Sequence, residues 1–203
     1  MNPHLFHDAT FYALYAAAAL ATFVIIERGI FFAFNVRRAH ELDRLTAIGA
    51  VTAATEALSD PGRVDVAADA MRTVMRRAGE LPAAQRDSAI EAAYIAAHGK
   101  LKRHLWLLDT IVTAAPLLGL LGTILGIIDT FTALAKSGIS DPSGVSAGIG
   151  TALFATALGI GVALYGLLFF NLFQERVERM SDVIKVLLLR GAAAFDRGPV
   201  HAG

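Results

Sequence analysis

The sequence predicts an all-α membrane protein with three transmembrane helices and long helices extending into the cytoplasm, on three observations. The chain is apolar: 55% of its 203 residues are hydrophobic, only 18% are charged, and the mean hydropathy is +0.54. Three stretches are long enough for a bilayer, which takes about 20 apolar residues. Lysine and arginine fall unevenly between them, with none before the first span, eleven in Asn35–His104, one at Lys136 and five after Gln174. That skew places the N-terminus outside, the long loop inside, the short loop outside and the C-terminus inside. The formal net charge is zero, so charge offers no argument for nucleic acid, and the absence of cysteine excludes disulfides and thiolate metal sites.

Residues 1–8 read as an N-terminus on the outer side and residues 9–34 as the first span. Ala9–Ile26 carries no charge, and the apolar character resumes at Ile30. No lysine or arginine precedes Arg28 and no clear cleavage site follows, so the segment is expected to be a retained helix rather than a signal peptide. Glu27 and Arg28 near its inner end read as an interfacial pair reaching toward headgroups, or as a contact to a cytoplasmic helix or a neighbouring subunit.

Residues 35–104 read as a cytoplasmic helical region. Val36–Leu58 keeps helical spacing without proline, Asp60 and Pro61 suit an N-cap and first helical position, and Arg63–Leu81 follows as a helix. A break is expected at Glu80–Pro82. From Ala83 no proline intervenes before Pro116, which predicts one helix running out of the cytoplasm into the second span, 105–135. His98, Lys100, Lys102, Arg103 and His104 form a basic cluster there, read as anchoring to acidic headgroups or as a docking surface.

A short loop on the outer side, 136–145, leads to the third span, 146–174, and to a cytoplasmic C-terminal helix and tail, 175–203. Pro142–Gln174 is uncharged, and as a helix it would measure roughly 50 Å. GVSAG, Gly144–Gly148, matches the G-x-S-x-G nucleophile pattern. That pattern needs a strand, a turn and a helix, so Ser143 or Ser146 is read as a helix cap and no catalytic residue is assigned.

The second and third spans are notched. Gly119, Gly122 and Gly126 recur at steps of three and four, and Gly148, Ala152, Ala155, Gly159, Ala163 and Gly166 run along the third span. No hydrophobic effect drives helices together in lipid, so small residues that permit close van der Waals contact predict tight packing. Thr123 and Thr156 lie on these stripes, where hydroxyls would line a narrow polar seam. Pro116 frees a backbone carbonyl and is expected to kink the helix. Asp109 and Asp129, near the two ends of the second span, are candidate vestibule groups or interfacial carboxylates.

APLLGLLGTILGI, Ala115–Ile127, resembles the signature of the MotA/TolQ/ExbB proton channel family, and GIGTALFATALGIGVAL, Gly148–Leu164, is similar to its third-span motif. ERGIFFAFNVRRAHEL resembles the inner end of the family's first span. The resemblance, strongest over Leu105–Arg179, implies an ExbB/TolQ-like inner-membrane subunit, a homopentameric ring around a dimer of a single-span ExbD/TolR-like partner carrying an aspartate. It implies coupling of the proton motive force to outer-membrane transport or envelope work, with a TonB/TolA-like protein as a possible further partner. The chain would be no enzyme and need no cofactor or metal; membrane lipid surrounds it. By the same resemblance Thr123 and Thr156 line the ion pathway. Thr151 stands where a pattern such as GIAEAL carries glutamate. A hydroxyl does not titrate near neutral pH, which keeps a non-conducting scaffold of the same fold open as an alternative. ALYGLLFFN, Ala163–Asn171, resembles MotA-like sequences, so a stator for flagellar or gliding motion is another.

Overall fold

The computed structural model describes residues 3–47, 65–78, 82–137 and 142–196. Among these the chain forms five helices: α1 Pro3–Ala47, α2 Val66–Ala78, α3 Ala83–Lys102, α4 Leu105–Ser137 and α5 Pro142–Asp196. Asp8–Arg37, Leu105–Ala135 and Pro142–Gly191 are long and apolar enough to cross a membrane. The residues fall into two compact units, one of Met1–Glu27 with His104–Leu172, the other of Arg28–Arg103 with Phe173–Gly203.

In the first unit the closest contacts between α4 and α5 fall at small residues, and many large apolar residues face outward. On α4 the buried positions Leu105, Leu108, Ile111, Ala115, Gly119, Gly122 and Gly126 recur every three or four residues. Leu117, Leu120, Ile124 and Ile128 on its other side are exposed. On α5, Ala152, Ala155, Gly159 and Val162 are buried while Leu153, Phe154, Ile160 and Leu164 face outward. Exposed leucine and phenylalanine cost nothing against lipid tails, whereas backbones meet only where side chains are small.

The second unit packs ordinary apolar side chains: Phe32 of α1, Met71 and Val74 of α2, Leu101 of α3, and Val177, Ile184 and Leu188 of α5 are buried. The start of α2 is held by three acceptors. Asp65 is the N-cap: its Oδ1 accepts from the Ala68 N–H at 3.2 Å and its carbonyl from Asp69 at 3.1 Å. Asn35 Oδ1 accepts from the Val66 N–H at 3.2 Å, while Asn35 Nδ2 donates to the Phe31 carbonyl at 2.9 Å. The expected cap at Asp60 and Pro61 lies outside the described residues. Asn35→Ala leaves the buried Val66 N–H without this acceptor, at a cost of about 1–3 kcal/mol. Its helix-melting midpoint in detergent falls below that of wild type; equal midpoints would contradict the assignment.

Three expectations require correction. The helix from Ala83 does not continue into the second span: α3 ends at Lys102, and His104 adopts φ 66° before α4 begins at Leu105. At this break His104 Nδ1 faces Glu27 Oε2 at 3.3 Å, and the Leu107 N–H donates to the His104 carbonyl at 3.1 Å. Histidine is among the residues that tolerate the left-handed region better than most. Glu27 and Arg28 are not a pair reaching for headgroups. Glu27 meets His104, while Arg28 is buried with its guanidinium 4.6 Å from the Phe31 ring centre. Ser143 and Ser146 lie within α5 rather than ahead of it, because Pro142 takes the first helical position, where its missing N–H costs no hydrogen bond.

The basic cluster is also less free than its sequence suggests. His98 Nδ1 lies 2.8 Å from Ser181 Oγ, Lys100 pairs with Asp69, and His104 meets Glu27. Lys102 and Arg103 are exposed.

Candidate functional site

Most threonine hydroxyls described in the helices satisfy themselves locally. Thr22, Thr110 and Thr132 donate to the carbonyl four residues back, the ordinary arrangement for threonine in a helix. Thr123 and Thr156 are different. Thr123 Oγ1 reaches the Ala152 carbonyl on α5 at 3.0 Å, and Thr156 Oγ1 reaches the Gly119 carbonyl on α4 at 3.2 Å. The two hydroxyls also hydrogen-bond each other. Thr123 has a further acceptor in the Gly119 carbonyl of its own helix, at 3.2 Å. Each hydroxyl carries one proton and has more than one acceptor, so the pair can redistribute its hydrogen bonds without breaking the helices.

Glycine makes this exchange possible. A Cβ on Gly119 would stand 2.8 Å from the Ala155 carbonyl oxygen, and one on Gly159 would stand 2.5 Å from the Ala115 oxygen and 3.0 Å from Gly119 Cα. The obstructing atoms are backbone, so α4 and α5 touch main chain to main chain beside the threonine pair, at Ala115 and Gly119 of α4 and Ala155 and Gly159 of α5. Gly122 fits against Ala155 and Thr10, Gly148 against the Thr130 side chain, and Gly166 against Val112. Ala152 and Gly126 are buried in the same seam region of their helices.

Asp109, Pro116, Thr123 and Thr130 stand seven residues apart on α4. A straight helix drifts about 20° per seven residues, so the four form one stripe. Proline at 116 cannot donate to the Val112 carbonyl, which adds a backbone acceptor to that stripe. Asp109 is exposed. Asp129 is half-buried and sits about 120° around the helix from Thr123, on a different face.

Thr151 does not join the pair. It is exposed, about 140° around α5 from Thr156, and its hydroxyl donates to the Ala147 carbonyl of its own helix at 3.0 Å. Conversely, Thr10 is a buried hydroxyl on α1 packed against Gly122, and sequence reasoning passed over it. Its only signal was a hydroxyl at the edge of an apolar run. Among the described residues, no group of three or more histidine, aspartate or glutamate side chains is placed to hold a metal ion. GVSAG lies inside α5, without the strand and turn that a nucleophile elbow requires.

Three membrane-length helices, with a hydroxyl pair shared between two closely packed backbones, define a helical membrane protein with a narrow polar seam. The model of the MotA/TolQ/ExbB proton channel family matches residues 63–185, and the chain belongs to that family. It is 42% identical over 99 residues to the putative biopolymer transport protein ExbB-like 3 of Synechocystis sp., covering 48% of this chain and 47% of that protein. It is 27% identical over 200 residues to a putative biopolymer transport protein ExbB homolog of Methanothermobacter thermautotrophicus, covering 92% of this chain and 71% of that protein. With the biopolymer transport protein ExbB of Aquifex aeolicus it shares 37% identity over 84 residues, covering 41% of this chain and 57% of the relative. Two of these three alignments thus span between 47% and 57% of the curated relative.

Proposed function

We propose that this chain is the ion-conducting subunit of an inner-membrane motor, with protons crossing along the seam marked by Thr123 and Thr156. The observation that carries the reading is the reciprocal bonding of these two hydroxyls to backbone carbonyls on the opposite helix. In this reading residues 1–8 and 136–145 face the periplasm, and residues 35–104 and 175–203 face the cytoplasm. Several copies, five by family resemblance, form a ring. A single-span ExbD/TolR-like partner supplies the aspartate that carries the proton, because neither threonine titrates near neutral pH. The hydroxyls accept from and donate to that carboxylate as it passes, and Asp109, on the same α4 stripe, serves one vestibule.

The driving energy is about 2.3 kcal/mol per proton per 100 mV of membrane potential, plus any pH gradient. The relatives' names, biopolymer transport proteins, favour outer-membrane transport over motility as the load, with a TonB/TolA-like protein as the element that receives the work.

One observation favours a second reading, a non-conducting scaffold. Thr151 occupies the position where the family resemblance leads one to expect glutamate, and its hydroxyl is turned to its own helix. Proton uptake into proteoliposomes separates the two. The chain is reconstituted with its single-span partner, and wild type is compared with Thr151→Glu. The channel reading predicts flux in wild type, with no requirement for glutamate at 151. Flux only in Thr151→Glu would sink it and establish the scaffold.

A further inference from the structure

Away from the threonine seam, the second unit holds a pocket of about 530 Å³ lined by Arg37 of α1 and by Arg176 and Arg179 of α5. Its remaining wall is apolar, chiefly Phe32, Val36 and Met180. Ala33 is exposed and Val36 half-buried on this wall, while Phe32 and Met180 are buried, Phe32 stacking on Phe173 with ring centres 5.7 Å apart.

The sequence positions of the three arginines are informative. Arg37 is the first charge on α1 after the uncharged run Gly29–Val36, and Arg176 the first cation on α5 after the uncharged run Pro142–Gln174. The pocket therefore forms where two membrane-length helices pass from apolar to charged sequence. The three charged residues of its lining are all arginines. Glu175, next to Arg176 in the sequence, pairs with Arg179 at 2.7 Å, but those side chains are 60% and 71% exposed. An ion pair that exposed is weak and gives way to a better partner.

We infer that this pocket binds the phosphate of an anionic phospholipid, with the three guanidinium groups around the headgroup and the first part of an acyl chain against Ala33 and Val36, the accessible apolar residues of the lining. Guanidinium presents a planar fork of donors that matches phosphate oxygens, which suits arginine better than lysine here. A free phosphate would use the rim and leave the apolar wall wet; a zwitterionic lipid would bring its own cation against three arginines. The inference is independent of the ion-pathway reading.

The test uses the full chain in a neutral maltoside detergent, titrated calorimetrically with dihexanoyl phosphatidylglycerol, dihexanoyl phosphatidylcholine and inorganic phosphate. Wild type binds the glycerol lipid about tenfold or more tighter than the choline lipid. The triple variant Arg37→Gln, Arg176→Gln, Arg179→Gln loses about tenfold to a hundredfold of the glycerol-lipid affinity. The control Lys102→Gln, Arg103→Gln, which removes two exposed cations of the same unit outside the pocket, changes it by less than about twofold. A triple lysine variant guards against misfolding: with wild-type helicity, it retains the preference for the anionic lipid but binds it less tightly. The inference is overturned by equal binding of the two lipids, by equal loss in the control, or by inorganic phosphate binding as tightly as the glycerol lipid. It is also overturned if light scattering shows that the triple glutamine variant changes the number of assembled copies while lipid affinity stays the same. The pocket would then be an interface between copies.

Discussion

Gly159→Leu prevents α4 and α5 from closing. Even the first carbon of a side chain at this position lies 2.5 Å from the Ala115 carbonyl oxygen and 3.0 Å from Gly119 Cα. Neither atom belongs to a side chain that can rotate away, so the helices must separate. Separation also pulls Thr156 from the Gly119 carbonyl and Thr123 from the Ala152 carbonyl. Overpacking of this kind costs about 1–3 kcal/mol, and more where backbone must move. Gly161→Leu is the matched control, because nothing lies within 4 Å of a Cβ there. Helix melting in detergent, with size-exclusion profiles alongside, gives a destabilised, dispersed Gly159→Leu and a near-wild-type Gly161→Leu. Equal behaviour of the two variants would refute the close approach.

Thr156→Val lowers partner-dependent proton flux by roughly a hundredfold, the lower end of what a positioned proton-transfer group contributes. Valine keeps the branched shape and removes the hydroxyl, so packing against Gly119 is retained. The Gly119 carbonyl keeps Thr123 Oγ1 as a donor, which limits the structural cost to about 1 kcal/mol. Thr156→Ser restores a hydroxyl at the same place and returns most of the flux. A stable, assembled Thr156→Val that conducts as wild type would exclude Thr156 from the pathway.

The spans were legible because the bilayer sets a length that few other environments demand, and Pro142–Gln174 carries no charge over its whole extent. Thr123 and Thr156 could be singled out because each sits on a stripe of small residues, and small residues mark where backbones meet. The break at Arg103–His104 could not be read. Its left-handed histidine meets Glu27, 77 residues earlier, and neither residue of the break is the glycine or proline that would announce it. The hold on α2 was hidden for the same reason, since Asn35 lies 31 residues from the Val66 amide it accepts from. The basic cluster misled because charge in a sequence does not name its partner, and Asp69 and Ser181 come from distant helical segments. Thr151 was chosen by motif position; the 140° that separates it from Thr156 follows from helical geometry alone.

The central claim is that protons cross at the threonine seam when a partner carboxylate enters it. The most direct test is the initial rate of proton uptake into liposomes under an imposed potential, measured for the wild-type chain alone, with its single-span partner, and with that partner's aspartate changed to asparagine. The account predicts flux with the intact partner and background rates in the other two cases. Equal proton uptake by the chain alone, or with the asparagine partner, would contradict it.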